Sequence, residues 1–365
     1  MNRFLCEPDN LKLNSTTAFH FSQILANISI HTLPILALAG NLLIIIVILT
    51  NSQLNRSSFS VYIKTMAVSD TLVLVLKLIS FENKTSQKFY SSSMCTILVF
   101  LSEASVLLSV WTIVLITIER TLVVLFPIHI KKFVSVYHAR ILITGIAIIS
   151  FLFSTRVLFI PIDISSVQKC QPMPDWQNYR QLNITITEFT YCYIPLSIVI
   201  IGNFITLCAV KRAASQRRQI LTNNTYNNKC QMDSNENQLM LMLLIVTLMF
   251  MVYFLPFTIA NALSRWGLPF GMCFTQRSFE IYLIIRTCCD LLKDLNFCTN
   301  FIIYCISGRR FRLALFSLIH RKRKPVFSSS NYLESTKLRS ERLGRSNTQK
   351  IYHFAPKQTY EESQF

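Results

Sequence analysis

Residues 239–263 read LMLMLLIVTLMFMVYFLPFTIANAL, twenty-five positions without one charged side chain. A bilayer core about 30 Å thick needs roughly 20 such residues on a helix, because each backbone N–H and C=O must find its partner inside the segment. The preceding stretch Phe189–Val210 is equally free of charge, and residues 31–50 form a third. Met94–Ile118 carries only Glu103, and residues 141–160 are apolar up to Arg156, whose long side chain can reach the interface. Two further stretches hold several charges: residues 61–79 with Lys64, Asp70 and Lys77, and residues 279–306 with Glu280, Arg286, Asp290, Lys293 and Asp294. Charge at membrane depth ordinarily faces a bundle interior or a water-filled cavity, so both are read as spans. The total is seven.

The composition of the 365-residue chain agrees, with 52% apolar and 15% charged residues and a mean hydropathy of +0.41. Such a chain is neither disordered nor an ordinary soluble enzyme. A net charge of +18 would suggest nucleic acid in a soluble protein. Here thirteen Lys and Arg follow Ser307, including Arg309, Arg310, Arg312 and the run Arg321–Lys324, so contact with anionic membrane lipid accounts for it and no nucleic-acid partner is expected. Positive flanks stay cytosolic, which places the C-terminus in the cytosol and, across seven spans, the N-terminus outside a multi-pass plasma-membrane protein. The first twenty residues hold no apolar signal-peptide core, so the first span is expected to act as its own insertion signal.

The fold expected is an all-α membrane protein, a seven-transmembrane helix bundle with a short amphipathic helix after the seventh span. Its parts are an outer segment 1–26, the seven-transmembrane body 27–306, a membrane-surface helix 307–324 and a disordered cytoplasmic tail 325–365, polar and rich in Ser. Sequons at Asn14, Asn83 and Asn183 fall on the outer side as glycosylation candidates. Cys95 opens the third span and Cys170 lies in the loop between spans four and five; a bridge between them would pin that loop across the mouth of the bundle. Cys6 with Cys273 is a second pairing that spacing leaves open.

Span one has Gly40-Asn41, span two Ala67-Val68-Ser69-Asp70, and span three runs from Cys95 to Glu119-Arg120-Thr121. Pro127 follows, span five has Pro195, and span six has Phe250 with Tyr253-Phe254-Leu255-Pro256. Span seven ends Asn300-Phe301-Ile302-Ile303-Tyr304, then Phe311 within an Arg-rich stretch. In this order and spacing the motifs resemble those of the rhodopsin-like (class A) G protein-coupled receptors. Departures are as clear: Tyr253 and Phe254 stand for Cys and Trp, Phe301 for Pro, Thr121 for Tyr, Asn203 for the fifth-span Tyr and Ala147 for the fourth-span Trp. Loss of the seventh-span proline removes a source of kinking, so that span is expected to be straighter.

The resemblance implies roles. Arg120, paired with Glu119 and with Glu236 at the inner start of span six, would latch the bundle closed. Phe250, Phe254, Pro256, Asn300 and Tyr304 would belong to the switch that moves span six outward and engages a G protein. Asp70, Ser109, Asn296 and Asn300 would form a sodium pocket, since carboxylate, hydroxyl and amide oxygens suit a hard cation. From the residues themselves, Arg286, Asp290, Lys293 and Asp294 recur at helical spacing. With Lys77, Ser102, Glu103 and Arg156 they would line a pocket for a ligand bearing both charge signs, such as a short extracellular peptide. The Asn300–Tyr304 ending is similar to that of invertebrate neuropeptide receptors of the FMRFamide-receptor-like kind. Ser102 stands where amine receptors carry Asp, and Asp294 where opsins carry the Schiff-base Lys. Arrestin and receptor kinases would meet the tail. The chain is read as no enzyme, for it has no metal-ligand spacing, nucleophile motif or phosphate loop. The alternatives are a transporter or channel, disfavoured by only seven glycines and no inverted repeat, and a class A receptor for a lipid or other non-peptide ligand.

Overall fold

The computed structural model describes residues 17–86, 92–126, 134–160, 162–163, 171–172, 176–223, 234–266 and 276–320. Helix α1 spans Thr17–Thr50, and the one-turn α2, Ser52–Asn55, turns the corner into α3, Ser58–Ser86. Asn51 caps α2 by accepting from the backbone N–H groups of Gln53 and Leu54, both at 3.1 Å. Then come α4, Ser92–Leu125, and α5, Val136–Ser154, whose cap Ser135 accepts from the His138 N–H. A 3-10 turn, Thr155–Phe159, ends α5. Strands β1, Ile162–Asp163, and β2, Gln171–Pro172, pair antiparallel in the following loop. Helix α6, Gln177–Glu188, runs through a π-helical turn, Phe189–Tyr193, into α7, Ile194–Asn223. The remaining described elements are helices: α8, Ser234–Trp266; α9, Gln276–Leu295; α10, Asn300–Ser307; and α11, Arg309–Ile319.

Among the described residues, six helices are long and apolar enough to cross a membrane: those within Thr17–Thr50, Ser58–Glu82, Ser93–Leu125, Val136–Phe159, Gln181–Arg212 and Leu241–Ser264. The seventh span is the charge-bearing pair α9 and α10, which closes the bundle by packing on both α1 and α8. Helix α4 is the central strut and touches α3, α5, α7 and α8. Outward-facing positions such as Ile35, Ile149, Phe204 and Ile302 are exposed, as lipid-facing side chains must be.

Helix α1 begins at Thr17, as residues 17–30 continue the apolar helical run without a breaker. The helix after the seventh span runs to Ile319, and residues 321–324 lie outside the described residues. One expectation is corrected: the seventh span is not straightened by losing its proline. It is interrupted between Leu295 and Asn300, where the N–H groups of Asn296, Phe297 and Cys298 bond three residues back, to Lys293, Asp294 and Leu295. The Phe297 carbonyl, which a continuous α-helix would offer to Phe301, instead accepts from Asn41 Nδ2 of α1 at 3.3 Å. A side chain inserted into the backbone ladder breaks the helix here. Phe301 itself lies against α1: a Cβ built at Gly40 would stand 3.2 Å from the Phe301 Cβ.

Helix α4 meets α7 with little space. The Thr121 hydroxyl is 3.2 Å from the Gly202 carbonyl and 3.1 Å from the Thr206 hydroxyl. A Cβ at Gly202 would lie 2.6 Å from Thr117 Cγ2. Gly202→Ala is therefore expected to lose about 1–3 kcal/mol, the usual penalty of overpacking, and to lower the melting temperature of the solubilised chain. Adding Thr117→Ala should restore it; an unchanged melting temperature in the single variant would contradict the close approach.

Candidate functional site

Three polar layers stack along the bundle interior. The first lies where α3 begins and α4 nears its end. Glu119 accepts from Arg120 Nη2 at 2.9 Å, from the Tyr62 hydroxyl at 2.5 Å and from the Ser58 hydroxyl at 3.3 Å. Both members of the Glu119–Arg120 pair are largely buried, and the Arg120 Nε has no hydrogen-bond partner. Tyr62 and Ser58 are absent from the sequence reading. Their signal was available, since Ser58, Tyr62 and Asp70 recur at multiples of four on one face of α3. Asn203 does not approach Arg120; it joins α7 to α8, accepting from the Thr247 hydroxyl at 2.8 Å and donating to Met251 Sδ at 3.4 Å. The side chain of Glu236 lies outside the described residues.

Asp70, fully buried, forms the middle layer. Its Oδ1 accepts from the Ser109 hydroxyl and its Oδ2 from Asn300 Nδ2 at 2.6 Å. Among the described residues no basic side chain pairs with it, so this carboxylate needs a proton or a cation. Asn41 Oδ1 and Asn296 Nδ2 are buried without hydrogen-bond partners. Buried carboxylate and hydroxyl oxygens fit a small hard cation. No group of three or more His, Cys, Asp or Glu among the described residues could hold a metal ion. An aromatic column adjoins this layer. Phe250 stacks on Phe254 with centroids 4.3 Å apart, and Phe254 meets Phe297 edge-on at 6.4 Å. Tyr304 is fully buried between Phe59 and Phe311, its hydroxyl without a partner, and Pro256 lies inside α8.

In the third layer the charges assigned to one pocket separate into pairs. Lys77 of α3 pairs with Asp294 of α9, and Lys293 lies 3.7 Å from the same carboxylate. Arg286 pairs with Asp290 one turn away at 3.4 Å, and its Nη1 is buried without a partner. The Phe257 ring lies beneath both cations, 5.0 Å from Arg286 and 4.5 Å from Lys293. Glu103 and Arg156 form their own pair, joined by Thr187, which donates to Glu103 at 2.9 Å. Arg156 also lies 3.8 Å over Phe153. Thr187 escaped the sequence reading because it belongs to α6, in a stretch read as loop. Ser102 is half-buried beside Glu103. Further along the same two elements, Trp111 of α4 donates to the Thr190 carbonyl at 3.1 Å, inside the π-helical turn.

Cys95 is disulfide-bonded; Cys170, Cys6, Cys273 and Asn14 lie outside the described residues, as does the side chain of Asn83. Asn183 is buried in α6, with its Oδ1 enclosed and unpartnered, a position at odds with a solvent-facing glycan acceptor.

A family model described as "7 transmembrane receptor (rhodopsin family)" matches residues 40–304, from Gly40 beside Phe301 to Tyr304. The chain belongs to the rhodopsin family of seven-transmembrane receptors. It is 23% identical over 295 residues to a QRFP-like peptide receptor of Branchiostoma floridae, covering 76% of this chain and 72% of that receptor. It is 23% identical to the growth hormone secretagogue receptor type 1 of Homo sapiens, covering 78% of each. It is 25% identical to the neuropeptide Y receptor type 6 of Mus musculus, covering 85% of this chain and 86% of that one. As a rhodopsin-family receptor it is a multi-pass membrane signalling protein and not an enzyme.

Proposed function

We propose that this rhodopsin-family chain is a receptor for an extracellular neuropeptide, coupling agonist binding to a heterotrimeric G protein through outward movement of α8. The observation that carries the reading is the continuity of the three layers, from the Lys77–Asp294 pair through Asp70 to the Glu119–Arg120 pair. The relatives named for peptide ligands support a peptide, as do the ion pairs of both signs around Phe257. The FMRFamide-receptor-like ending at Asn300–Tyr304 points to the same class. In this reading the N-terminus is extracellular and the tail cytoplasmic, where arrestin and receptor kinases would act.

An agonist shifts such a bundle only by its differential affinity for the open and closed forms. Contact with Asp290 or Arg286 would rearrange α9 against α8 through Phe257. The Phe254–Phe297 contact would pass that shift to the interruption at residues 296–299. Release of Arg120 from Glu119 would then open the cavity beneath α8. The test is nucleotide exchange in membranes holding the full chain with a G protein, screened against amidated short peptides, beside a substrate-flux assay. Peptide-stimulated exchange is expected; flux without exchange would instead favour the transporter reading.

Asp70 with Ser109, Asn296 and Asn300 would hold a sodium ion, which would supply the missing positive charge beside the buried carboxylate. Agonist affinity should then fall as sodium chloride replaces choline chloride. Asp70→Asn should abolish this dependence, its amide oxygen still accepting from Asn300 Nδ2 and its N–H donating to a Ser109 hydroxyl turned to accept; a sodium effect that survives the substitution would exclude Asp70 as the ligand.

A further inference from the structure

Helix α1 carries no Asp, Glu, Lys or Arg, and its titratable groups are His20 and His31. His31 lies three residues before Pro34, which has no N–H to offer the Ile30 carbonyl. The backbone ladder is therefore interrupted between the arm 17–30 and the rest of α1, and contacts near the break decide how the arm is held. His31 makes such a contact. Its Nε2 lies 2.8 Å from Glu82 Oε1 on α3, and its Nδ1 lies 2.7 Å from the Asn27 carbonyl on its own helix. The ring also meets Phe81 edge-on, with centroids 5.7 Å apart. Tyr62, which reaches Glu119, and Glu82 lie toward opposite ends of α3, so this bridge stands at the end of the bundle away from Arg120.

Counting hydrogens fixes what the bridge needs. A backbone carbonyl only accepts, so Nδ1 must carry a hydrogen; an ionised carboxylate also only accepts, so Nε2 must carry one too. A neutral imidazole has a single N–H for these two acceptors. The arrangement thus holds one proton more than a neutral ring beside an ionised carboxylate, whichever of the two owns it. When that proton leaves, the Nδ1–H stays with Asn27 and the Nε2 lone pair is left facing the carboxylate. Two electron-rich atoms at hydrogen-bond distance repel, and the bridge opens.

The neighbouring charges are engaged elsewhere. Among the described residues, Glu82 is the one charged side chain that acts on the ring. On α3, Lys77 is turned to Asp294, Asp70 is buried beside Ser109 and Asn300, and Lys64 reaches Asn55 at the far end; the side chain of Lys84 lies outside the described residues. On α9, Arg277 and Glu280 belong to the first turns, Arg286 pairs with Asp290, and Lys293 lies against Asp294. Helices α2 and α10, which also touch α1, carry no charged residue. His20 stands three turns before His31, about 16 Å along the axis.

We propose that His31 and Glu82 form a proton-operated clasp, which holds the N-terminal arm of α1 against α3 when protonated and releases it when the proton leaves. The closed form binds a proton that the open form gives up, so acid favours it and rising pH undoes it. Imidazole changes charge between about pH 5 and pH 8, which sets the window. Because α1 packs on both α3 and α9, the clasp braces the two helices that Lys77 and Asp294 join. On the orientation proposed above, the controlling protons are those of the extracellular medium.

The test is hydrogen–deuterium exchange of residues 24–31 in the full chain, held in phosphatidylcholine nanodiscs at about pH 6 and about pH 8. Wild type is compared with each variant at the same pH, which removes the pH dependence of the exchange chemistry itself. His31→Lys keeps a cation throughout this range. Glu82→Gln gives the ring a side-chain amide that can donate or accept, so its bridge no longer requires the extra proton. Wild type should exchange no faster than either variant at the lower pH. At the higher pH it should exchange about threefold faster than both, a modest factor because exposed charge pairs are weak. His20→Gln should keep the wild-type response. A ratio of wild type to His31→Lys and to Glu82→Gln that is the same at both pH values would overturn the clasp, as would a response abolished by His20→Gln. The measurement reads α1 itself, so it depends on neither the ligand nor a G protein.

Discussion

Glu119→Gln raises ligand-independent nucleotide exchange about tenfold in the mechanism proposed here, and Tyr62→Phe lowers it. The opposite signs follow from where the hydrogen bonds go. Glu119 accepts from three donors, Arg120, Tyr62 and Ser58. Neutralising the carboxylate leaves the buried Arg120 without its counter-charge, and the closed form loses a charge-assisted hydrogen bond worth about 1.5–3 kcal/mol. A tenfold shift needs about 1.4 kcal/mol. Tyr62 acts in the other direction. When Arg120 leaves, the carboxylate remains buried with only the Tyr62 and Ser58 hydroxyls, so the tyrosine matters most to the open form. Without it, release of Arg120 strands the carboxylate, and basal exchange should fall about fivefold. Basal exchange measured in membranes, normalised to surface expression, reads both. A rise in Tyr62→Phe would mean that the hydroxyl only braces the closed form.

The second large effect concerns stability. Asp294 is 4% exposed and takes its counter-charge from Lys77, with Lys293 further off at 3.7 Å. Lys77→Met should cost about 3 kcal/mol, the low end for breaking a buried pair, because Lys293 is a partial substitute. Asp294→Asn leaves Lys77, whose side chain is 40% exposed and can reach water, so it should cost less. The double variant should recover most of the loss, since removing both charges leaves neither unpaired. Melting temperatures of the four forms give the coupling energy. Strict additivity would mean that the pair contributes nothing, and that Asp294 is held by Lys293 alone.

The two effects bear differently on the sequence. Arg120 and Glu119 were legible because they sit at a fixed distance from Cys95 in an otherwise apolar run. Tyr62 was not, because a tyrosine at the end of a span is ordinary and only its approach to α4 gives it a role. The span-seven charges were legible as a helical face, and their partners were not. Helical spacing places Asp294 and Asp290 on neighbouring turns, yet Asp294 turns to α3 and Asp290 stays with Arg286. The charges expected to line one pocket are therefore held in separate pairs, Glu103 and Arg156 joined by Thr187 of α6. Corrections to the fold have the same origin. A missing proline was read as a straight helix, but the interruption after Leu295 is held by Asn41, more than 250 residues away in the chain. Asn183 was read as an outer sequon, and the extension of α6 buries it.

Hydrophobic length and motif spacing are properties of a short stretch of chain, so the sequence alone determined the seven spans and the family. Pairing is not local. Which carboxylate meets which cation, which carbonyl is taken by a distant amide and which glycine admits a neighbouring helix depend on the approach of helices far apart in sequence. At membrane depth each buried charge must find its counterpart wherever the packing brings one, and only the tertiary structure says where that is.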